Sequence, residues 1–241
     1  LVMAAVLWTA VPATADRRPV GGTAAPGTHG RIARTLRSRG PWLASLAFAV
    51  YSAQWLAVIG FLPTIYAQAG LATAYAAFAT ALAAAVNMVG NIASGRLLQR
   101  GVPGPVLLHA GYVAMGAGAF LAFAPWGEAG TVQALLRYAG VLVFSGVGGL
   151  IPGTLFSLAV RVAPDDGTVS TTVGWMQQWS SFGQFAGPPI AAWAAARAGG
   201  WHVTWWVTGA CALAGMLIAA GMSRFLAGHP GHAAAPARGA S

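Results

Sequence analysis

Six stretches of this chain run for twenty residues or more almost without a charge: Pro41–Tyr66, Ala72–Ser94, Pro105–Ala124, Val132–Val160, Thr168–Ala196 and Trp201–Phe225. Crossing a hydrocarbon core of about 30 Å takes about 20 helical residues. Lipid offers no partner to backbone N–H and C=O groups, so each span is expected to be a helix. Spans above about 25 residues exceed about 38 Å at ~1.5 Å per residue, and must tilt or project beyond the bilayer. Charged side chains make up 7% of the 241 residues, against about 25% in soluble domains. That number cannot build a hydrated shell, which excludes a soluble globule and predicts an all-α, polytopic membrane protein.

The charges that do occur are one-sided. Lysine is absent, so the 13 basic residues are all arginines, and the net charge is +9. They sit between the apolar spans and read as orientation signals, so no nucleic-acid partner is expected. Arg17, Arg18, Arg31, Arg34, Arg37, Arg39, Arg96, Arg100, Arg161, Arg224 and Arg238 fall on one side of the predicted topology. Arg197 falls on the other, and Arg137 lies within a span near that same end. The positive-inside rule then puts both ends of the six-helix unit in the cytoplasm. Trp126, Trp201, Trp205 and Trp206 at the outer boundary, and Trp42 at the inner one, occupy the interfacial positions that indole rings favour.

Before the first full span, residues 1–15 are apolar but too short to cross alone. They are expected to be the end of a preceding transmembrane helix; the alternative is a signal peptide, on the Ala13-x-Ala15 pattern before Asp16. Residues 16–40 form a basic linker, in which Ile32–Ser38 can make a short amphipathic helix at the membrane surface or a solvated charge run. Residues 41–226 are the transmembrane domain and 227–241 a cytoplasmic tail. The lone Cys211 excludes an intrachain disulfide.

Motifs for enzymatic chemistry are missing: there is no His-Glu-x-x-His, cysteine pair or Walker loop. Ser145-Gly146 lacks the upstream glycine of the serine intramembrane proteases, so the chain is expected not to be an enzyme, with no catalytic residue, cofactor or metal. The connection between the second and third spans is more informative. In Gly90-Asn91-Ile92-Ala93-Ser94-Gly95-Arg96-Leu97-Leu98-Gln99-Arg100-Gly101, Gly95, Leu97 and Arg100 fit the pattern G-x-L-x-D-R-x-G-R. Gln99 replaces the aspartate, and Gly101 comes one place early. Glycine permits a tight turn and close helix approach, and arginine can pair with a helix end. In the fifth span, Gly183-Gln184-Phe185-Ala186-Gly187-Pro188-Pro189 combines small-xxx-small spacing with tandem prolines, which predicts a kink or break at Gly187, Pro188 and Pro189. Gly146, Gly148, Gly149, Pro152 and Gly153 give the fourth span a similar soft centre, and interrupted spans point to a transporter's central site.

With its six spans and basic preceding linker, the chain resembles helices seven to twelve of a major facilitator superfamily transporter. Gly60–Tyr66 and Trp175–Gln178 resemble the cyanate- and nitroimidazole-type branch. The resemblance implies a bacterial inner-membrane protein, one half of a secondary transporter that moves a small organic or anionic solute by alternating access. Its partners would be the bilayer, the solute and an N-terminal half. The alternative is a non-transporting six-span scaffold or a half-size subunit that dimerises.

Polar side chains inside spans are costly and mark candidate sites. Tyr51, Gln54 and Trp55 share a face of the first span at helical spacing. Asn87 and Asn91 line one side of the second with Ser94. Trp175, Gln178 and Trp179 form a stripe on the fifth, beside Gln177, Ser181 and Gln184. The expectation is that Tyr51, Gln54 and Trp55 face Trp175, Gln178 and Trp179 around a central cavity, where amides orient a solute against aromatic walls; interhelical hydrogen bonding is the competing account. Arg137 is expected to snorkel to the interface, or, if it faces inward, to suit an anionic solute.

Overall fold

In the computed structural model the described residues are 27–127 and 130–229. The expectations for residues 1–15, for the first part of the linker and for the tail beyond 229 lie outside them. The linker's end forms helix α1 (Thr28–Arg37), followed at once by α2 (Arg39–Gln68), α3 (Thr73–Gln99), α4 (Gly104–Phe123), α5 (Thr131–Gly148), α6 (Leu150–Val162), α7 (Val169–Ala198) and α8 (Thr204–Gly228). Among the described residues no strand occurs.

Five segments are long and apolar enough to cross a membrane: α2, α3, α4, the α5–α6 pair taken as Thr131–Val162, and Trp201–Gly228. Helix α7 has the length, at 30 residues, but not the apolarity. Gln177, Gln178, Ser181 and Gln184 stand on its outer face and are exposed.

Helix α2 is the centre of the bundle. Its Ala44, Ala47, Val58 and Leu62 are fully buried, and α3, α7 and α8 pack around it. Tyr112 of α4 donates from its hydroxyl to the Ala47 carbonyl at 2.6 Å. Its ring occupies the space that a side chain at Gly215 of α8 would need, so one tyrosine ties α2, α4 and α8 together. On the other side of α2, a Cβ at Gly183 or Gly187 would strike the backbone of Ala49 or Ala53. Small residues four apart let α7 approach α2 to backbone contact, as membrane helices do where packing replaces the hydrophobic effect.

Of the kink or break expected at Gly187, Pro188 and Pro189, a break is not found: α7 runs on through both prolines. Lacking N–H groups, the prolines leave the carbonyls of Gln184 and Phe185 without i+4 donors, and the α2 seam holds the helix together around them. The break falls instead at Gly149, between α5 and α6. Three glycines at positions 146, 148 and 149 weaken the helix there. Pro152 lies in the first turn of α6 and denies Gly148 its donor, which suits a helix start.

Helix α1 extends from Thr28, further than the expected Ile32–Ser38, and docks on the bundle rather than standing off as a solvated run. Thr35 is buried and its hydroxyl lies 2.8 Å from that of Thr171 on α7. Arg34 pairs with Asp165 at 2.7 Å.

Candidate functional site

Three of the polar residues singled out in the sequence converge on Ser145 of α5. The Asn87 Nδ2 donates to the Ser145 carbonyl at 2.8 Å and to the Tyr51 hydroxyl at 3.0 Å. That hydroxyl also lies 3.2 Å from Asn87 Oδ1, to which it can donate. Trp55 Nε1 donates to Ser145 Oγ at 3.1 Å. A neutral network thereby joins α2 and α3 near their midpoints to the last turn of α5, at the middle of the Thr131–Val162 span and one turn before the α5–α6 break. Asn91 lies one turn below Asn87, and its Oδ1 fills the space over Gly153 of α6. Ser94, the next turn down, is buried and donates to the Asn91 carbonyl at 2.7 Å.

The sequence explains why these groups meet here. A Cβ at Gly90 would strike the Gly146 carbonyl, and one at Gly149 would strike the Asn87 carbonyl. Glycine on both sides therefore brings α3 against the α5–α6 junction, and Asn87 and Asn91 follow at the i and i+4 spacing that keeps them on that face. In the sequence Ser145 stands out only as a possible nucleophile. The rule that flagged the amides, a polar side chain inside an apolar span, applies to it equally.

The remaining expected residues do not join this group. Gln54 is 1% exposed, and its Oε1 and Nε2 have no partner among the described residues; it points into this bundle instead of toward an open face. Trp175 and Trp179 do not face Tyr51 and Trp55. They pack edge-on against Trp42, with ring centroids 5.1 and 5.5 Å away, at the arginine-rich end. The cause is register. Gly183 and Gly187 seat on Ala49 and Ala53, so α2 and α7 run parallel with Trp175 level with Trp42. Gln178 is exposed on the outer face of α7. The α7 amide level with Tyr51 is Gln184, whose Nε2 reaches Ser180 Oγ at 3.3 Å; Ser180 in turn lies 2.7 Å from Ser52 Oγ.

The segment that carries Gly95, Leu97 and Arg100 closes α3 with a Schellman turn. Gly101 takes φ 87°, its N–H donates to Leu98 at 3.0 Å, and that of Val102 donates to Leu97 at 3.0 Å. The glycine that comes one place early is therefore the one the turn needs. A Cβ on Gly95 would meet nothing within this bundle, where Gly90 makes the close approach instead. Arg137 is committed to structure. Its two terminal nitrogens donate to the carbonyls of Ala122 at 2.7 Å and Ala124 at 2.9 Å, capping the end of α4, and its guanidinium lies 5.4 Å from the centre of the Trp126 ring.

Among the described residues no group of three His, Cys, Asp or Glu could hold a metal. What the Ser145 network offers is neutral: amide and hydroxyl donors and acceptors beside two aromatic rings.

No protein-family model matches the chain, and no curated protein matches it. The solved structures do contain its fold. The crystal structure of a major facilitator superfamily transporter, FucP, in the outward conformation superimposes with a TM-score of 0.69 at 16% identity, over 92% of this chain and 51% of that one. The chain has the fold of half a major facilitator transporter. That fold and the long apolar helices fit a multi-pass protein of a lipid bilayer. The chain spans about half the length of the transporter it matches.

Proposed function

We propose that this chain is the C-terminal half of a secondary transporter that moves a small organic or anionic solute by alternating access. Tyr51, Trp55, Asn87 and Asn91, with Ser145, form its wall of the central site. The observation that carries this reading is the network that joins Tyr51, Trp55 and Asn87 at Ser145. It lies near the midpoints of three spans and beside a broken one, where central transporter sites are built. Two further observations support it. The outer face of α7 carries Gln177, Gln178, Ser181 and Gln184, all exposed; such a face is costly against lipid and suits a cavity or a second six-helix half. The Gln54 amide, buried without a partner among the described residues, is a group that a second conformation would satisfy, as a two-state carrier requires.

Proteoliposomes containing the whole transporter that carries this half are the test. The resemblance to the cyanate- and nitroimidazole-type branch puts small nitrogenous and anionic compounds first among the solutes to try. Saturable uptake is expected, and Tyr51→Phe and Asn87→Ala should each lower it at least about tenfold. Unchanged uptake in both variants would remove these residues from the site. This chain alone, as a verified monomer, should give no saturable uptake.

The same reading puts the arginine-rich end in the cytoplasm of a bacterial inner membrane. A cysteine placed at Thr28 should resist a membrane-impermeant thiol reagent in intact cells and react after lysis. Reaction before lysis would reverse the topology.

A further inference from the structure

At the arginine-rich end, a cavity of about 1350 Å³ opens between the start of α2, the end of α6 and the end of α8. Each of these elements contributes one arginine to it: Arg39, Arg161 and Arg224. All three are exposed. The one salt bridge among the described residues is that of Arg34 with Asp165, which commits the first carboxylate at the rim. Asp166 is the other. The cavity therefore has more guanidinium than carboxylate, and its charge calls for an anion.

Ser38 and His229 add polar groups at its edge, and each of the three helices adds an apolar wall: Leu43 of α2, Val160 of α6 and Phe225 of α8. Those side chains belong to segments that cross the bilayer, so the cavity lies where hydrocarbon gives way to water. A simple anion would use the arginines and leave this wall unused. An anionic amphiphile uses both.

We propose that this cavity holds the phosphate of an anionic phospholipid such as phosphatidylglycerol, with an acyl chain running along Leu43, Val160 and Phe225. Guanidinium groups grip phosphate oxygens through charge-assisted, often paired hydrogen bonds. Basic pockets between transmembrane helices at a membrane interface are a recognised setting for anionic headgroups. The site stands apart from the Ser145 network and does not depend on the transport reading.

Native mass spectrometry of the full chain in detergent tests the assignment. The chain is titrated with dioleoylphosphatidylglycerol, with dioleoylphosphatidylcholine, and with phosphatidylglycerol in the presence of excess inorganic phosphate. The anionic lipid should bind tightly at one site, the zwitterionic lipid weakly, and phosphate should compete poorly. Arg39→Gln, Arg161→Gln and Arg224→Gln combined should weaken binding roughly a hundredfold, about fivefold for each basic group near an anionic headgroup. Arg161→Gln alone, about fivefold weaker on the same reasoning, keeps the test open if the triple variant does not fold. A charge-matched control, Arg31→Gln, Arg37→Gln and Arg96→Gln combined, should bind as the parent does. Equal binding of both lipids, an equal loss in the control, or efficient competition by inorganic phosphate would each overturn the proposal, the last in favour of a free-anion site.

Discussion

Two of the seams in this bundle are built on glycine yet differ in what else they carry. Along the α2–α7 seam, Gly183 and Gly187 meet the backbone of Ala49 and Ala53. The polar groups there are spent on each other, Ser52 with Ser180 at 2.7 Å. Along the seam between α3 and the α5–α6 junction, Gly90 and Gly149 allow an equally close approach. Yet this seam also carries Asn87, Asn91 and Ser94, and it draws in Tyr51 and Trp55. In the first seam one serine pair is the polar link between the helices beside the glycines, and its indoles, Trp42, Trp175 and Trp179, pack on one another at one end. The excess polarity of the second is what needs a functional account, and in the first seam a small-residue motif is packing alone.

The comparison breaks most sharply at Gly187. Gly187→Leu would drive a side chain into the Ala53 backbone, where no rotamer can yield. Overpacking of this kind costs about 3 kcal/mol or more, and the variant should lose the monodisperse peak of the parent in size-exclusion chromatography. A well-folded variant with an unchanged melting temperature would mean that the α2–α7 seam is not the one described.

Asn87→Ala should behave the other way round. Interhelical hydrogen bonds in membrane proteins contribute about 0.6 kcal/mol on average, so losing the bonds to Tyr51 and Ser145 should cost about 1 kcal/mol of stability. Transport by the whole protein should nonetheless fall at least about tenfold. If stability drops as far as in Gly187→Leu while transport per folded molecule is kept, the network is structural glue and the distinction between the seams is lost.

Much of this was legible in the sequence, and the limits are instructive. Spans, helical class and arginine asymmetry follow from solvent physics that acts on each segment independently. The pairing of Tyr51 with Trp175 depended on interhelical register, and that is set by which small residues seat on which backbone. The Gly183-xxx-Gly187 motif was visible, but its partners Ala49 and Ala53 are two among many alanines. Asn87 and Asn91 were found because a polar group in a span is conspicuous wherever the helix sits. Arg137 was weighed between lipid interface and cavity; its target, the carbonyls of Ala122 and Ala124, lies on another helix and is invisible to a single-span reading. The tandem prolines do not break α7, whereas the soft centre expected in the fourth span does part α5 from α6 at Gly149. A neighbouring helix can keep a proline-containing segment helical, whereas three glycines before Pro152 weaken the helix they sit in.

A smaller effect sharpens the contrast within the packing seam. Replacing Ser52 and Ser180 by alanine together removes both partners at once and leaves no orphaned hydroxyl between them. The expected cost is about 0.6 kcal/mol, and transport should be unchanged because the pair belongs to the seam and not to the Ser145 network. Double-mutant analysis of melting temperature measures the coupling. A tenfold transport defect without a stability loss would extend the candidate site across to α7 and bring Gln184 into it.

The smallest effect is expected at Gly95, which fits the pattern G-x-L-x-D-R-x-G-R in register with Leu97 and Arg100 and has no role within this bundle. Its neighbour in the turn, Gly101, needs a left-handed φ of 87°, and Gly90 needs a backbone approach. Gly95 needs neither, since a Cβ there meets open space within a continuous helix. In a helix interior alanine is favoured over glycine by about 0.8 kcal/mol or more, so Gly95→Ala should leave stability unchanged or raise it slightly, while Gly90→Ala should lower it clearly. Thermal melts of the two variants in one detergent decide the matter. If Gly95→Ala destabilises this chain as much as Gly90→Ala does, the α3 face at Gly95 is already packed against something in this bundle. If it is neutral here yet slows transport in the whole protein, the space over Gly95 belongs to the other half.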